Sequence, residues 1–204
     1  MVVRYADFVA TIRPLARRRR RGILKELAAK KPLSLVHGDA HLENIFFGPN
    51  YPGGVAFIDF GLVSFAPPMV DVATIIGGGM PTDARRTHEE ALVREYYSAL
   101  TTEFGGSDAE AKFKTFPWEA CWQGYTFQLI RPFFNLLLLA SKFKKDRDTR
   151  EGVFAEKLSE SDVKKRRWYA AQNERLATAL ADHKWAEMLA EMPTTSASCC
   201  RPCD

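Results

Sequence analysis

The chain has 204 residues, of which 46% are hydrophobic and 26% charged, with a formal net charge of +4. This composition excludes a wholly disordered chain, a collagen-like one and a disulfide-stapled mini-protein. The positive charge is local, since residues 1–36 hold ten Lys/Arg against two Asp/Glu, and so mild an overall excess gives no reason to expect nucleic-acid binding.

In chain order, residues 4–31 read as helix, broken near Pro14, which can open a second helix at its first turn. Ile23, Leu24, Leu27 and Ala28 recur at helical spacing, the Arg17–Arg21 run falls on solvated turns, and Pro32 ends the segment. Leu33–Val36, Ile45–Phe47 and Val55–Ile58 are short apolar runs, and the turn formers of Gly48–Gly54 make the last two a hairpin that follows a strand. After Gly61 the pattern is helical. Pro67-Pro68 precedes a short helix, Val70–Gly77, closed by Gly77-Gly78-Gly79. Asp83–Leu100 carries Leu92, Tyr96 and Leu100 beside Val93 and Tyr97, an amphipathic stripe. Pro117–Lys142 is a long apolar segment with a kink expected at Pro132, and residues 162–191 form one final helix of mixed charge. The expected fold class is α+β, mainly helical: a small β-hairpin region wrapped in six or more helices, with too few strands for a doubly wound sheet.

No stretch is long enough to span a membrane. The best candidate, Phe127–Ala140, has fourteen residues and contains Arg131 and Pro132, against about 20 apolar residues needed. The N-terminus lacks the apolar run and small-residue cleavage site of a signal peptide. Cys121 stands alone, and Cys199, Cys200 and Cys203 crowd the last six residues. This usage points to a reducing, cytoplasmic setting rather than a disulfide framework.

The chemistry is concentrated in His37-Gly38-Asp39-Ala40-His41-Leu42-Glu43-Asn44, followed by Phe57-Ile58-Asp59-Phe60-Gly61. Phosphoryl transfer needs a carboxylate to position the attacking hydroxyl and hard oxygen ligands to hold Mg²⁺ against the phosphates. An Asp followed five positions later by an Asn, on a loop between short strands, meets half of that need. A second Asp at the end of the next strand meets the rest. Asp39 is the candidate catalytic residue, and Asn44 and Asp59 are the candidate Mg²⁺ ligands. The four fixed residues of His-Gly-Asp-x-x-x-x-Asn arise by chance in roughly one in a thousand chains of this length.

His-Gly-Asp, with the Ile-Asp-Phe-Gly that follows, resembles the aminoglycoside phosphotransferase and choline kinase-like family, including its ecdysteroid kinase-like branch. The resemblance begins near residue 33 and runs more weakly to about residue 140. It implies the C-terminal lobe of a protein kinase-like fold over residues 1–192. The catalytic loop and metal site would lie in 33–73, a helical acceptor region in 83–191, and a disordered Cys-containing tail in 193–204. It implies ATP as co-substrate, Mg²⁺ as cofactor and a small-molecule hydroxyl as acceptor. Val70-Asp71-Val72-Ala73 is similar to the family's Asp-x-Ala helix start, which gives Asp71 a bracing role on the loop. His37 should pack and hydrogen-bond the loop. His41 is open between a structural role and a substrate contact. The family's N-terminal lobe, with its nucleotide-covering loop, strand Lys and helix Glu, has no counterpart in the 38 residues before Asp39. The chain therefore reads as the C-terminal lobe alone, with that lobe missing or supplied by a partner chain. The competing reading is a non-catalytic kinase-like fragment that serves as a binding or interaction module.

Two weaker signals complete the chain. Trp118, Trp122, Tyr125, Phe127, Phe133 and Phe134 are expected to form core, although such rings can also line an acceptor pocket. Cys200-Arg201-Pro202-Cys203 has half the spacing of a zinc site and nothing nearby to complete it.

Overall fold

The computed structural model describes residues 4–29, 33–103, 116–134 and 160–192. The described elements are helices α1 (Tyr5–Ala29), α2 (Met69–Ala73), α3 (Thr82–Glu103), α4 (Trp118–Gln128), α5 (Glu160–Asp182) and α6 (Trp185–Glu191), with strands β1 (Ser34–Val36), β2 (Ile45–Phe47), β3 (Val55–Phe57) and β4 (Ser64–Ala66). The fold is α+β and mainly helical. Among the described residues no helix is long and apolar enough to cross a membrane.

α1 runs unbroken through Pro14, where the sequence predicts a break. Its buried face explains the difference. Phe8, Ile12, Ala16 and Ile23 are all buried, whereas Pro14 and Ala10 are exposed. The Ala10 carbonyl, which proline leaves without a donor, can therefore be met by water. Burial of the stripe, at about 25 cal/mol per Å², outweighs one lost hydrogen bond. Arg17, Arg18 and Arg21 are solvated as expected. Arg19 instead donates from Nε and Nη2 to the carbonyls of Leu189 and Ala190 at 3.0 and 2.9 Å, capping the end of α6.

The strands form two separate antiparallel ribbons. β2 and β3 are the expected hairpin, paired Ile45 with Phe57 and Phe47 with Val55. β1 pairs with β4, Leu35 standing opposite Phe65. The sequence reading has no strand after Gly61. Ser64–Ala66 is too short to show a period, and its partner lies some thirty residues upstream. The ribbons expose large apolar side chains, with Leu35 65%, Phe65 75% and Phe47 71% accessible.

The main core is assembled from all six helices, and a smaller cluster of Val36, Ala66 and Val70 joins the β1–β4 ribbon to α2. The buried face of α3 is carried by Arg85 and Val93 with Tyr96, Tyr97 and Leu100 packed beside them, while Leu92 is exposed and falls outside the stripe. α4 ends at Gln128 and the chain is helical again over 130–134. The interruption sits one turn before Pro132, whose ring clashes with the carbonyl four residues earlier. The single final helix expected over 162–191 is two helices, because Lys184 adopts a left-handed conformation (φ 54°) between α5 and α6. Gly77–Gly79 lie inside a π-helical turn, Thr74–Gly79, that continues α2. They admit close neighbours as well as ending the helix: a Cβ on Gly77 would press on Leu129 and Leu176, and one on Gly79 on Leu42. Tyr125, Phe127 and Phe133 are buried, so the aromatic run is core. Residues 135–142 of that apolar segment and the Cys-containing tail lie outside the described residues.

Candidate active site

The loop from His37 to Asn44 leaves β1 and is tied at its start to Asp71 and at its end to Ile58. Gly38 has φ +82°, and a Cβ there would run into the Leu62 carbonyl oxygen, so only glycine lets the loop pass beneath the Phe60–Leu62 turn. Gly38→Ala should lower the unfolding free energy by at least about 2 kcal/mol in urea denaturation, since the carbonyl belongs to the backbone and cannot swing away. A loss below half of that would mean that the turn moves freely.

Asp71, in α2, accepts hydrogen bonds from the backbone amides of His37 (Oδ2, 2.7 Å) and Gly38 (Oδ1, 2.9 Å). One carboxylate thus satisfies two amides that the short strand leaves behind. His37 is buried. Its Nε2 lies 2.8 Å from the Ile58 carbonyl, and its Nδ1 lies 3.3 Å from the Asp39 amide nitrogen. That pattern assigns the proton to Nε2, which donates, and leaves Nδ1 to accept. The imidazole therefore links the loop to the end of β3, with the Phe60 ring 4.8 Å away.

Asn44 is buried, and its Nδ2 donates to the Asp39 carbonyl at 3.0 Å. Its own carbonyl accepts from the Ile58 amide at 3.0 Å. Asn44 and His37 thus both tether the Asp39 backbone to Ile58, the residue before Asp59. Asp59 is exposed and takes a left-handed conformation, φ 60° and ψ 64°, with Oδ1 accepting from the Gly61 amide at 3.4 Å. Aspartate is among the few side chains that tolerate this region, because it can bond its own backbone two residues on.

Asp39 is open to solvent, its side chain 40% accessible. His41 Nε2 stands 3.6 Å from Asp39 Oδ2, while His41 Nδ1 is buried without a hydrogen-bond partner. The Trp168 ring meets His41 edge-on at 5.5 Å, and Tyr169 meets Trp168 at 4.9 Å. The sequence reading missed this pair. The available signal was two adjacent aromatics on an otherwise charged helix. On the other flank, an open and mostly apolar cavity of about 440 Å³ is lined by Leu35, Val36, Phe57, Phe60, Val72 and Tyr96 among others, with His37 and Asp71 also on its wall. Burial, the Cys121 thiol and the Asp71 carboxylate push the Tyr96 phenol up to about 12.

The site offers a solvent-facing carboxylate on a braced loop and, close by through Ile58, a second exposed carboxylate. With its Nδ2 engaged by the loop, Asn44 has Oδ1 as its remaining hard oxygen donor. Among the described residues no three His, Cys, Asp or Glu side chains gather into a metal cage. The donors present suit Mg²⁺, which takes one or two protein oxygens and completes its shell with water and substrate phosphates.

Residues 5–114, more than half of the chain, match the model of a family described as the phosphotransferase enzyme family. Comparisons with curated proteins and with solved structures gave no match.

Proposed function

From the premise that the chain belongs to the phosphotransferase enzyme family, we propose that it is the acceptor-bearing half of a small-molecule kinase of the aminoglycoside phosphotransferase and choline kinase-like type. It would take the γ-phosphate of ATP to an alcohol, on a lobe of protein kinase-like fold. The observation that carries this reading is the joint bracing of Asp39 and the chain before Asp59 by His37, Asn44 and Asp71.

In this reading Asp39 accepts a hydrogen bond from the acceptor hydroxyl, orients its oxygen in line with the phosphate, and takes the proton as the new O–P bond forms and the bond from the γ-phosphorus to the β,γ-bridging oxygen breaks, ADP leaving with that oxygen. Asn44 Oδ1 and the Asp59 carboxylate would hold Mg²⁺, which when bound supplies charge neutralisation on the phosphates. His37 and Asp71 hold the loop and touch no reacting atom. Leu35 and Phe65 on the β1–β4 ribbon and Phe47 on the β2–β3 ribbon are exposed, and the occupant we propose for these ribbons is a nucleotide-covering lobe. β1 and β2, which carry Leu35 and Phe47, flank the catalytic loop, and the exposed Ile58 and Phe60 adjoin Asp59 in the chain, which supports that choice.

Calorimetry with Mg²⁺·ATP tests the reading. The parent should bind, and Asp59→Ala should bind at least about tenfold more weakly, as loss of a metal ligand requires. Equal binding by the two proteins would remove Asp59 from the metal site. Absence of binding by both would favour the non-catalytic interaction module.

A further inference from the structure

We propose that Trp168 and Tyr169 on α5 form the acceptor-facing wall of the Asp39 site and select alcohols that present a flat apolar ring beside the hydroxyl. This rests on the reading that Asp39 positions the hydroxyl. It concerns residues well beyond the stretch that matches the family model.

The wall begins at the loop itself. His41 is two residues from Asp39, with Nε2 toward its carboxylate, and the other ring nitrogen is sealed from solvent. Nδ1 is buried without a hydrogen-bond partner, a cost that this orientation of the imidazole carries. Trp168 abuts this imidazole and Tyr169 abuts Trp168. Burial first, and then the charges of Glu43 and Asp39, push the Tyr169 phenol up.

Both rings are only half-buried, unlike Trp185 in the core, which is 0% exposed. Their position is nevertheless set firmly. Arg175 donates to the Gly79 carbonyl at 2.9 Å, and Leu176 and Gln172 lie against the space over Gly77 and Gly78. Positions 168, 169, 172, 175 and 176 share one helix face. The same glycine segment receives Leu42 from the catalytic loop, so loop and aromatic pair rest on a common support. A half-exposed ring pair held rigidly beside an open carboxylate offers a ring-bearing ligand an edge-to-face or offset contact at little entropic cost.

Fluorine NMR of the protein labelled with fluorotryptophan tests this. The chain has four tryptophans, and Trp168→Phe identifies the Trp168 line. Benzyl alcohol should move that line saturably and bind about fivefold more tightly than glycerol, while the Trp185 line stays still. Tyr169→Ala should erase the preference. A static Trp168 line, or equal response to benzyl alcohol, glycerol and choline, overturns the proposal. Mg²⁺·ATP binding is read on the same sample. A static line with nucleotide bound removes the wall alone. A moving line in a protein that binds no nucleotide removes the acceptor role and, with it, the proposal.

Discussion

Arg85→Met should cost about 3–5 kcal/mol of unfolding free energy, the usual result of leaving buried charge without its partner. Arg85 is fully buried in α3. Its Nη1 donates to Glu89 Oε2 at 2.8 Å and its Nη2 donates to Asp182 at the end of α5. The same Glu89 oxygen accepts from the Tyr125 hydroxyl at 2.9 Å and lies 3.3 Å from His183 Nε2. One guanidinium thus joins α3 to the α5–α6 corner, and α4 reaches the same carboxylate through Tyr125. The double variant Arg85→Met, Glu89→Gln should recover part of the loss, because a neutral amide needs no counter-ion. A single-variant cost below about 1 kcal/mol in urea would show that the network does not hold the helices together.

The same network fixes a pH dependence. Burial pushes the Glu89 carboxyl up, but the hydrogen bonds from His183 and Arg85 and the Arg85 charge outweigh it and hold the group below its ordinary value. Asp182 is likewise raised by burial and lowered further by Arg86 and Arg85. Both folded values lie below the unfolded ones, so the folded state binds fewer protons through the acid range. Their stabilisation is present above the ordinary carboxylate pKa and disappears as pH falls through the folded values. The stability gap between parent and Arg85→Met should therefore narrow as the pH is lowered through that range.

Asp71→Asn should cost about 2–3 kcal/mol and loosen the His37–Asn44 loop. An amide group can accept from only one of the two backbone donors that Asp71 now serves, and it points an N–H at the other. Hydrogen exchange at the His37 and Gly38 amides is the direct measurement, and both should lose protection. If both stay protected in the variant, Asp71 is not the brace. On the proposed function, Mg²⁺·ATP affinity should fall in the same variant although Asp71 touches neither ligand.

What could be read from the sequence follows the range of the contacts. The β2–β3 hairpin and the bond from Asn44 to the Asp39 carbonyl span few residues, so spacing alone reveals them. The β1–β4 ribbon, the Arg19 cap on α6 and the Arg85–Asp182 link join residues about thirty to 170 apart, and no local period encodes them. Pro14 misled for a related reason. Local propensity marks a helix break there, but burial of the α1 stripe overrides it; the glycine run does end its helix, and its close packing against Leu129 and Leu176 adds a role that propensity does not show. The Trp168 contact with His41 is likewise long-range, whereas the aromatics of 118–134 pack in or against the core as the sequence predicts.

The seating of α1 has a consequence for biosynthesis. Tyr5 and Phe8 pack against Phe133, and α1 lies along α5 and α6, latched by Arg19 to Leu189 and Ala190. The first described helix meets Phe133 earlier but is fully covered only when α5 and α6 leave the ribosome. At about 5–20 residues per second, part of its apolar stripe stays uncovered for roughly 10–30 s of translation. During that interval the nascent chain carries an exposed amphipathic helix that other chains or a holding chaperone can capture, and any pause within α5 prolongs the exposure.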